Sequence, residues 1–318
     1  MLNRRETFRQ MFAAGSAMAL ANWMTPAANA GAVPASEFEV PVALNTSTIR
    51  GHNLPLDQQV EVAIAAGYDG IEPWIRDVRA FEKNGGSIDD LAKRMKDANL
   101  AVVSAIGFAN WISEDAAERD AGLQEAASDM RLVRRLGGRH IAAPPIGAHK
   151  PDLPRPILAD IGDRYRALCE VGKAEGVFPQ LELWGFSPTL SKLEEMAYVG
   201  AAASHPNACF LPDFYHIYKG GNDFESLRML EASAMHCFHI NDYPGEPSIA
   251  EIADKDRVYP GDGVCPLPKL IRTLLDNGFR GTFSLELFNP DYWQRPVEEV
   301  AKVGLEKTRA VIELAKSA

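Results

Sequence analysis

Short runs of apolar residues recur along the chain, and longer amphipathic segments separate them. Most runs are apolar at consecutive positions, which is typical of strands buried on both faces of a parallel sheet. Most successive runs begin roughly 28–40 residues apart, the length of a strand, a helix and two loops. The eight runs are Pro41–Asn45, Gly70–Ile75, Ala101–Gly107, Arg139–Pro144, Phe178–Gly185, Ala208–Phe214, Met235–Tyr243 and Thr282–Phe288.

The segments between the runs carry helix signals at their ends. Ser87 suits an N-cap and predicts a helix that continues through Met95. The segment Ser113–Leu136 is amphipathic, and Gly137-Gly138 ends it. Three further glycines are predicted to end helices just before a run: Gly67, Gly176 and Gly278.

Eight strand–helix units follow one another without a long linker or a low-complexity stretch. This organisation predicts an α/β fold, a (β/α)8 TIM barrel in a single domain, and the length of 318 residues suits it. A doubly wound open sheet is the alternative. Its nucleotide-binding versions are disfavoured because the sequence lacks GxGxxG after the first run and GxxxxGK[ST] anywhere.

The first 30 residues have the composition of an export signal. Arg4-Arg5 precede a weakly apolar, alanine-rich stretch, and Ala28-Asn29-Ala30 forms a small-x-small cleavage site. The apolar stretch is too short to span a bilayer, and the arginine pair with Phe8 resembles a twin-arginine signal. We therefore expect a signal peptide at residues 1–30, a barrel at residues 31–318 and a periplasmic protein without a stable membrane anchor. The alternatives are an ordinary Sec signal and an amphipathic helix of the mature protein.

Composition narrows the class of partner. The formal net charge is -10, whereas a nucleic-acid partner would require a basic patch, so we expect no nucleic acid. The four cysteines are spread without CxxC spacing, which excludes a zinc-knuckle pattern and a dense disulfide framework. The sequence leaves homo-oligomerisation open.

Ionisable residues interrupt the last four apolar runs. In a (β/α)8 barrel the carboxyl ends of the strands form the active-site face. A carboxylate inside an apolar strand is costly unless a partner neutralises it, and one shared divalent cation is the most economical partner. Three carboxylates and one imidazole suit Mn²⁺, Co²⁺, Mg²⁺ or Zn²⁺ without selecting among them. The predicted ligands are Glu182, Asp213, His239 and Glu286.

The stretches around these residues resemble a known family. They are Leu181-Glu-Leu183, Asp213-Phe-Tyr-His216, Phe238-His-Ile-Asn-Asp242, Asp256-Arg-Val-Tyr-Pro-Gly-Asp-Gly263 and Ser284-Leu-Glu-Leu-Phe-Asn-Pro-Asp-Tyr292. Together they are similar to the xylose isomerase-like TIM barrels, the sugar phosphate isomerase/epimerase family, and most of all to its inosose isomerase branch. The resemblance implies that the four predicted ligands bind one metal and that His216 and Arg257 contact the substrate. Pro188 and Gly245 stand where the sugar 3-epimerases carry Glu and Arg, which disfavours a simple ketose 3-epimerase.

Other residues near the predicted strand ends are candidates for substrate contact. Aromatic side chains there stack on sugar faces or simply pack the rim of a barrel. A lysine there assists an oxyanion or is merely solvated, and a buried polar group contacts substrate, supports a ligand or is satisfied by its neighbours. The aromatic candidates are Trp74, Phe108, Trp111 and Trp184, and the polar ones are Glu72, His140 and Lys219.

These observations predict a metal-dependent isomerase or epimerase that acts on a sugar, keto-sugar or cyclitol through an enediolate. Glu182 and Glu286 are predicted to move the proton, and His216 to hydrogen-bond the oxyanion. Loss of a β-hydroxyl from the same enolate gives the alternative, a dehydratase of a keto-cyclitol, keto-sugar or dehydroshikimate-like substrate. The acidic charge and the scarcity of surplus histidines disfavour a nuclease, and a non-catalytic sugar-binding protein stays open.

Overall fold

The computed structural model describes residues 38–317. The predicted signal segment, residues 1–30, lies outside this range and stays a prediction. Within it, eight strands each fall inside one of the eight predicted apolar runs, so the strand predictions are confirmed. The strands are β1 Val42–Asn45, β2 Gly70–Glu72, β3 Ala101–Val102, β4 His140–Ala143, β5 Phe178–Glu182, β6 Cys209–Leu211, β7 Cys237–Ile240 and β8 Thr282–Leu285.

Helices connect each strand to the next and cover the outside of the sheet. No helix of residues 38–317 combines the length and the apolar character needed to cross a membrane. The α-helices are α1 Leu56–Ala66, α2 Ile75–Lys83, α3 Ile88–Asp97, α4 Ala116–Arg135, α5 Leu158–Glu175, α6 Leu193–Ala203, α7 Phe214–Lys219, α8 Leu267–Asp276 and α9 Val297–Ser317. Short 3-10 helices lie at Thr46–His52, Phe224–Met229, Ala232–Ala234, Asp254–Asp256 and Tyr292–Gln294.

The strands form a closed ring of parallel neighbours. β1 pairs with both β2 and β8, while β4, β5 and β6 form a second parallel set. Contacts at both seams join the sets: the amide of Ala142 donates to the carbonyl of Ala105 at 2.8 Å, and Asp213 forms a parallel bridge with His239. The (β/α)8 barrel is therefore confirmed, and the open-sheet alternative is wrong.

Local sequence explains where the helices begin and end. Ser87 caps α3, as predicted, and Gly67 ends α1 in a left-handed conformation with φ of 86°. The helix predicted from Ser113 begins at Ala116 instead, because the carboxylate of Asp115 accepts the amide of Glu118 at 2.9 Å. Ser113 lies just before this cap and does not take its place.

Candidate active site

Four ionisable side chains meet inside the barrel at the carboxyl ends of β5 to β8. Glu182 ends β5, His239 lies in β7, and Asp213 and Glu286 follow β6 and β8. Each is at most 4% exposed. Glu286 Oε2 lies 3.3 Å from Nδ1 of His239. Asp213 Oδ2 and Glu182 Oε1 lie 3.6 and 3.9 Å from the same nitrogen, so the structure brings the four predicted ligands together.

A buried carboxylate orients the imidazole of His239. Oε2 of Glu72 lies 3.0 Å from Nε2 of His239 and accepts hydrogen bonds from Asn45 and Ser284 at 2.9 and 2.7 Å. Burial alone lowers the pKa of His239, but the carboxylates of Glu286 and Glu72 outweigh it and raise that pKa well above its usual value. Glu72 does not line the cavity to which Glu182 and Glu286 contribute, so its position favours support of His239 over substrate contact.

The cluster fits a divalent cation. Nδ1 of His239 and Oε2 of Glu182 are buried without a hydrogen-bond partner, which is costly beside three carboxylates unless a cation binds there. One donor atom each of Asp213, His239 and Glu286 lies within 4.8 Å of the others. With Nε2 of the imidazole turned to Glu72, Nδ1 is the nitrogen that faces the carboxylates. These oxygen and nitrogen donors suit several divalent metals equally.

Asp213 is held in its ionised form by its surroundings. Its Oδ1 caps α7 by accepting the amide of His216 at 2.8 Å, and Asn241 donates to its Oδ2 at 3.1 Å. Burial opposes ionisation, but the charge of Arg257 holds the pKa of Asp213 well below its usual range. A permanently charged carboxylate is therefore available for a metal.

Arg257 reaches into the same cluster and is only 1% exposed. Its Nη1 donates to Glu286 at 2.8 Å and to Asp213 at 3.0 Å. Its Nη2 donates to Asp254 at 2.6 Å and lies 3.1 Å from Nε2 of His216. Because a guanidinium only donates, Nε2 of His216 must accept, and burial lowers the pKa of His216, which favours this neutral ring. The proton of His216 then lies on Nδ1.

The loop after β7 delivers Arg257, and Asp242 organises that loop. The Asp242 carboxylate accepts hydrogen bonds from four backbone amides of the loop. Backbone hydrogen bonds pair Asp242 with Val258, the residue after Arg257. A side chain at Gly263 would lie 2.2 Å from the carbonyl oxygen of Tyr243, so only glycine fits this turn. The close-packed loop thus explains the glycine-rich stretch after Arg257.

Glu182 and Glu286, two of the four predicted metal ligands, line a cavity of about 490 Å³. Glu182, His216, Arg257 and Glu286 supply polar groups to its wall, and half of the other lining residues are aromatic. Charged side chains of Arg50, Asp254 and Lys255 line it as well. Flat apolar faces beside a few convergent polar groups suit a ring-shaped, hydroxylated molecule. The aromatic lining residues are Trp74, Phe108, Trp184, Phe186, Phe288 and Trp293.

Residues 60–311 match the xylose isomerase-like TIM barrel family. The chain belongs to this family. Among its relatives, an inosose isomerase of Bacillus velezensis is 27% identical over 82% of this chain and 93% of that protein. A 3-dehydroshikimate dehydratase of Pseudomonas aeruginosa is 23% identical over 80% of this chain and 40% of that protein. Among solved structures, the IolI protein with a bound zinc atom gives a TM-score of 0.79 at 24% identity, covering 86% and 98% of the two chains.

The family predicted from the motifs is confirmed by these comparisons, and so is the prediction of an enzyme. An isomerase or epimerase agrees with the inosose isomerase relative, while the dehydratase alternative is represented in the family as well. The zinc atom belongs to the IolI structure, and this chain has a possible metal-binding site in the residues described. The identity of the metal stays a prediction.

Besides Glu72, three residues predicted to contact substrate lie away from the cavity: Lys219, Trp111 and His140. Lys219 donates at 3.0 Å to the carbonyls of residues 249–250, and Trp111 is buried and donates to a backbone carbonyl. His140 begins β4 instead of ending it, so its prediction at the active-site face is wrong. Its ring stacks on His236 at 4.4 Å, in a cavity at the opposite end of the strands.

Asn45 is a site residue that the sequence-based prediction missed. Its amide donates to Glu72 at 2.9 Å and to Glu286 at 3.1 Å, and its oxygen accepts from the indole of Trp74. Asn45 thereby connects Glu72, which orients His239, to the predicted metal ligand Glu286. The available signal was a polar residue at the end of the first apolar run, the same signal that identified Glu182.

Proposed function

We propose that this protein is a divalent-metal-dependent isomerase or epimerase that moves a proton beside the carbonyl of a keto-sugar or cyclitol. The observation that carries the proposal is the buried donor cluster of Glu182, Asp213, His239 and Glu286 at the wall of an aromatic cavity. The inosose isomerase relative supports a cyclitol or sugar as the substrate class.

A divalent metal held by these four residues would polarise the substrate carbonyl and stabilise the enediolate as a Lewis acid. Burial and the nearby charge of Glu286 raise the pKa of Glu182 to about 8, although His239 opposes the shift. A bound cation would lower this pKa again, so the assignment of Glu182 as the base that removes the proton beside the carbonyl rests on its position at the cavity wall. Glu286 approaches from β8, and β6 and β7 separate it from Glu182, so we assign it the return of the proton.

His216 and the aromatic walls complete the chemistry. The neutral ring of His216 offers its Nδ1 proton to a developing oxyanion, since Arg257 occupies Nε2. The aromatic side chains exclude water and stack against the apolar face of a ring. Loss of a β-hydroxyl from the same intermediate gives a dehydratase, the second candidate, which the 3-dehydroshikimate dehydratase relative supports.

We further propose that residues 1–30 direct export by the twin-arginine route and that the mature enzyme acts in the periplasm. Arg4-Arg5 and Ala28-Asn29-Ala30 support this assignment. Export separates the enzyme from the pool of sugar phosphates, which favours a substrate without phosphate.

The test combines metal analysis of the purified protein with NMR in D₂O on a panel of ketoses, keto-glycosides and inososes. We expect one equivalent of a divalent metal and deuterium incorporation beside the carbonyl, lost on chelation and restored by metal. Loss of a β-hydroxyl would identify the dehydratase. Metal binding without exchange on any probe would contradict an isomerase or epimerase and favour a binding protein.

A further inference from the structure

Arg50 forms part of the cavity wall, and neither the metal cluster nor the proton transfer described above uses it. It belongs to the 3-10 helix Thr46–His52, directly after β1, and lines the cavity together with Glu286. Its guanidinium carbon lies 5.1 Å from the ring centre of Phe288, 5.3 Å from that of Trp74 and 5.6 Å from that of Trp293. Three aromatic rings thus hold a cation at the cavity wall.

The segment that carries Arg50 is fixed before any ligand binds. The hydroxyl of Thr48 donates to the carbonyl of Leu285 at 2.8 Å and accepts from the amide of Leu287 at 3.1 Å. The indole of Trp293 donates to the carbonyl of Thr48 at 3.1 Å. A Cβ at Gly51 would lie 2.3 Å from the Trp293 ring, so this packing requires glycine beside Arg50. A preorganised group of this kind is what a specific binding site needs.

Within residues 38–317 Arg50 forms no salt bridge, and the charges of Glu286, Asp254 and Asp77 act on it only from farther away. No carboxylate of that range lies within 4.0 Å of its guanidinium. Arg257, by contrast, is paired with three carboxylates, and Arg76 lies 3.4 Å from Asp77. A guanidinium partly removed from water is stabilised when a ligand supplies the missing anion.

The shape of the group indicates which anion. A guanidinium presents two parallel N–H donors that match the two oxygens of a carboxylate. Phosphate sites commonly add backbone amides from a glycine-rich loop or a helix N-terminus. The residues that line this cavity include no glycine, and Lys255 is its other cation outside the buried cluster.

We infer that Arg50 binds a carboxylate of the substrate, so that the enzyme prefers a keto-sugar acid or carboxylated ring over a neutral polyol. This inference rests on the proposed function and specifies its substrate class. Arg50 determines the specificity for a carboxylated substrate, while the reacting carbonyl binds at the cluster of Glu182, Asp213, His239 and Glu286.

The test uses pairs of probes that differ at one carbon, which carries a hydroxymethyl group in the ketose and a carboxylate in the uronate. D-Fructose and D-fructuronate form one such pair, D-tagatose and D-tagaturonate another, and fructose 6-phosphate is the phosphate probe. Binding to the metal-loaded protein is measured by calorimetry, and exchange beside the carbonyl by NMR in D₂O. We expect each uronate to bind about 10- to 100-fold more tightly than its neutral partner, as for a charge-assisted hydrogen-bonded pair.

Variants then assign the preference to Arg50. Arg50→Gln should abolish it and change binding of the neutral ketoses by less than about threefold, because only the charged contact is lost. Arg50→Lys keeps the positive charge but lacks the paired donors, so it should retain only part of the preference for the uronate. This variant serves as the test if Arg50→Gln does not fold. The matched control is Arg76→Gln, because Arg76 stacks on the same Trp74 at 4.3 Å without lining the cavity.

The outcomes separate this inference from the proposed function. Equal binding of uronate and ketose, including no measurable binding of either, overturns the inference, as does tighter binding of fructose 6-phosphate than of fructuronate. An unchanged preference in Arg50→Gln overturns it too. Metal-dependent exchange on any neutral ketose or inosose upholds the proposed function in each of these cases, and its absence on every probe counts against that function alone.

Discussion

The carboxylate of Glu72 lies 3.0 Å from Nε2 of His239, and both side chains are fully buried. A carboxylate in this position fixes the orientation of the imidazole and raises its basicity toward a metal. Asn45 and Ser284 hold the same oxygen of Glu72, so the support is itself anchored.

Glu72→Gln should therefore weaken metal binding about 10- to 100-fold, the usual cost of losing such a supporting group. The measurement is calorimetric titration of metal into chelator-treated protein. Ser284→Ala is the matched control, because it removes a hydrogen bond to Glu72 and leaves His239 in contact with that carboxylate; its effect should be smaller. Unchanged affinity in Glu72→Gln would contradict the supporting role.

Glu182→Gln and Glu286→Gln should each reduce turnover by about 10²–10⁴-fold, the usual contribution of general base catalysis, because the amide keeps the size but cannot take a proton. His216→Ala should reduce turnover while metal stays bound. Solvent deuterium exchange is measured only in variants that retain metal. Near-normal exchange in both glutamine variants would exclude these carboxylates as the base.

Arg257→Met should destabilise the chelator-treated protein by about 3–5 kcal/mol, because it leaves buried carboxylates without their cation. The loss should be smaller in metal-saturated protein, where a second cation offsets Asp213 and Glu286. Urea unfolding with and without metal measures both values. Arg272→Met, which breaks a surface pair with Asp276, is the control and should cost less than about 1 kcal/mol. Equal losses with and without metal would count against a shared site.

His140 predicts a pH dependence of stability. Burial, the stacked His236 and the nearby Arg139 lower the pKa of His140 from 6.5 to about 4. Between pH 6.5 and about pH 4, His140 is protonated in the unfolded chain but stays neutral in the folded protein. This contribution to stability is therefore complete above pH 6.5 and is lost as the pH falls toward 4, by about 1.4 kcal/mol per pH unit. His140→Gln should flatten that slope in urea unfolding across this range, and an unchanged slope would refute the assignment.

Replacement of Arg4 and Arg5 by lysine should trap the precursor in the cytoplasm, because the twin-arginine route requires the arginine pair. Fractionation of cells followed by immunoblotting measures the distribution of precursor and mature protein. We expect the mature chain to begin near Gly31. Unchanged export of the variant would indicate the Sec route.

The barrel was predictable because its signals are local. A strand covered on both faces must be apolar at consecutive positions. The unpaired backbone groups at a helix end need partners nearby in sequence, so Ser87 and Gly67 were recognisable as helix-terminating residues from the sequence alone. Glu182 and Glu286 were also visible, because a carboxylate within an apolar run needs a partner wherever the strand lies.

The direction of several side chains was not predictable in this way. Lys219 follows His216 by three residues, yet its ammonium turns to backbone carbonyls of another loop. His140 stands at the start of β4, and a shift of a few residues along a strand moves a side chain from one end of the barrel to the other. The predicted run Arg139–Pro144 already placed His140 near its start, so the error lay in assigning His140 to the wrong end of the strand.

The sequence by itself determined the eight strand–helix units and the four candidate ligands, because burial on both faces and the cost of isolated charge are encoded residue by residue. Only the tertiary structure decided which charges face each other. Arg257 is paired with three carboxylates, whereas Arg50 faces the cavity among aromatic rings and forms no salt bridge with the residues that the structure describes. Which group pairs with a charged side chain depends on the residues that distant strands and loops bring within a few ångströms of it. The spacing of residues along the chain does not give that distance in space.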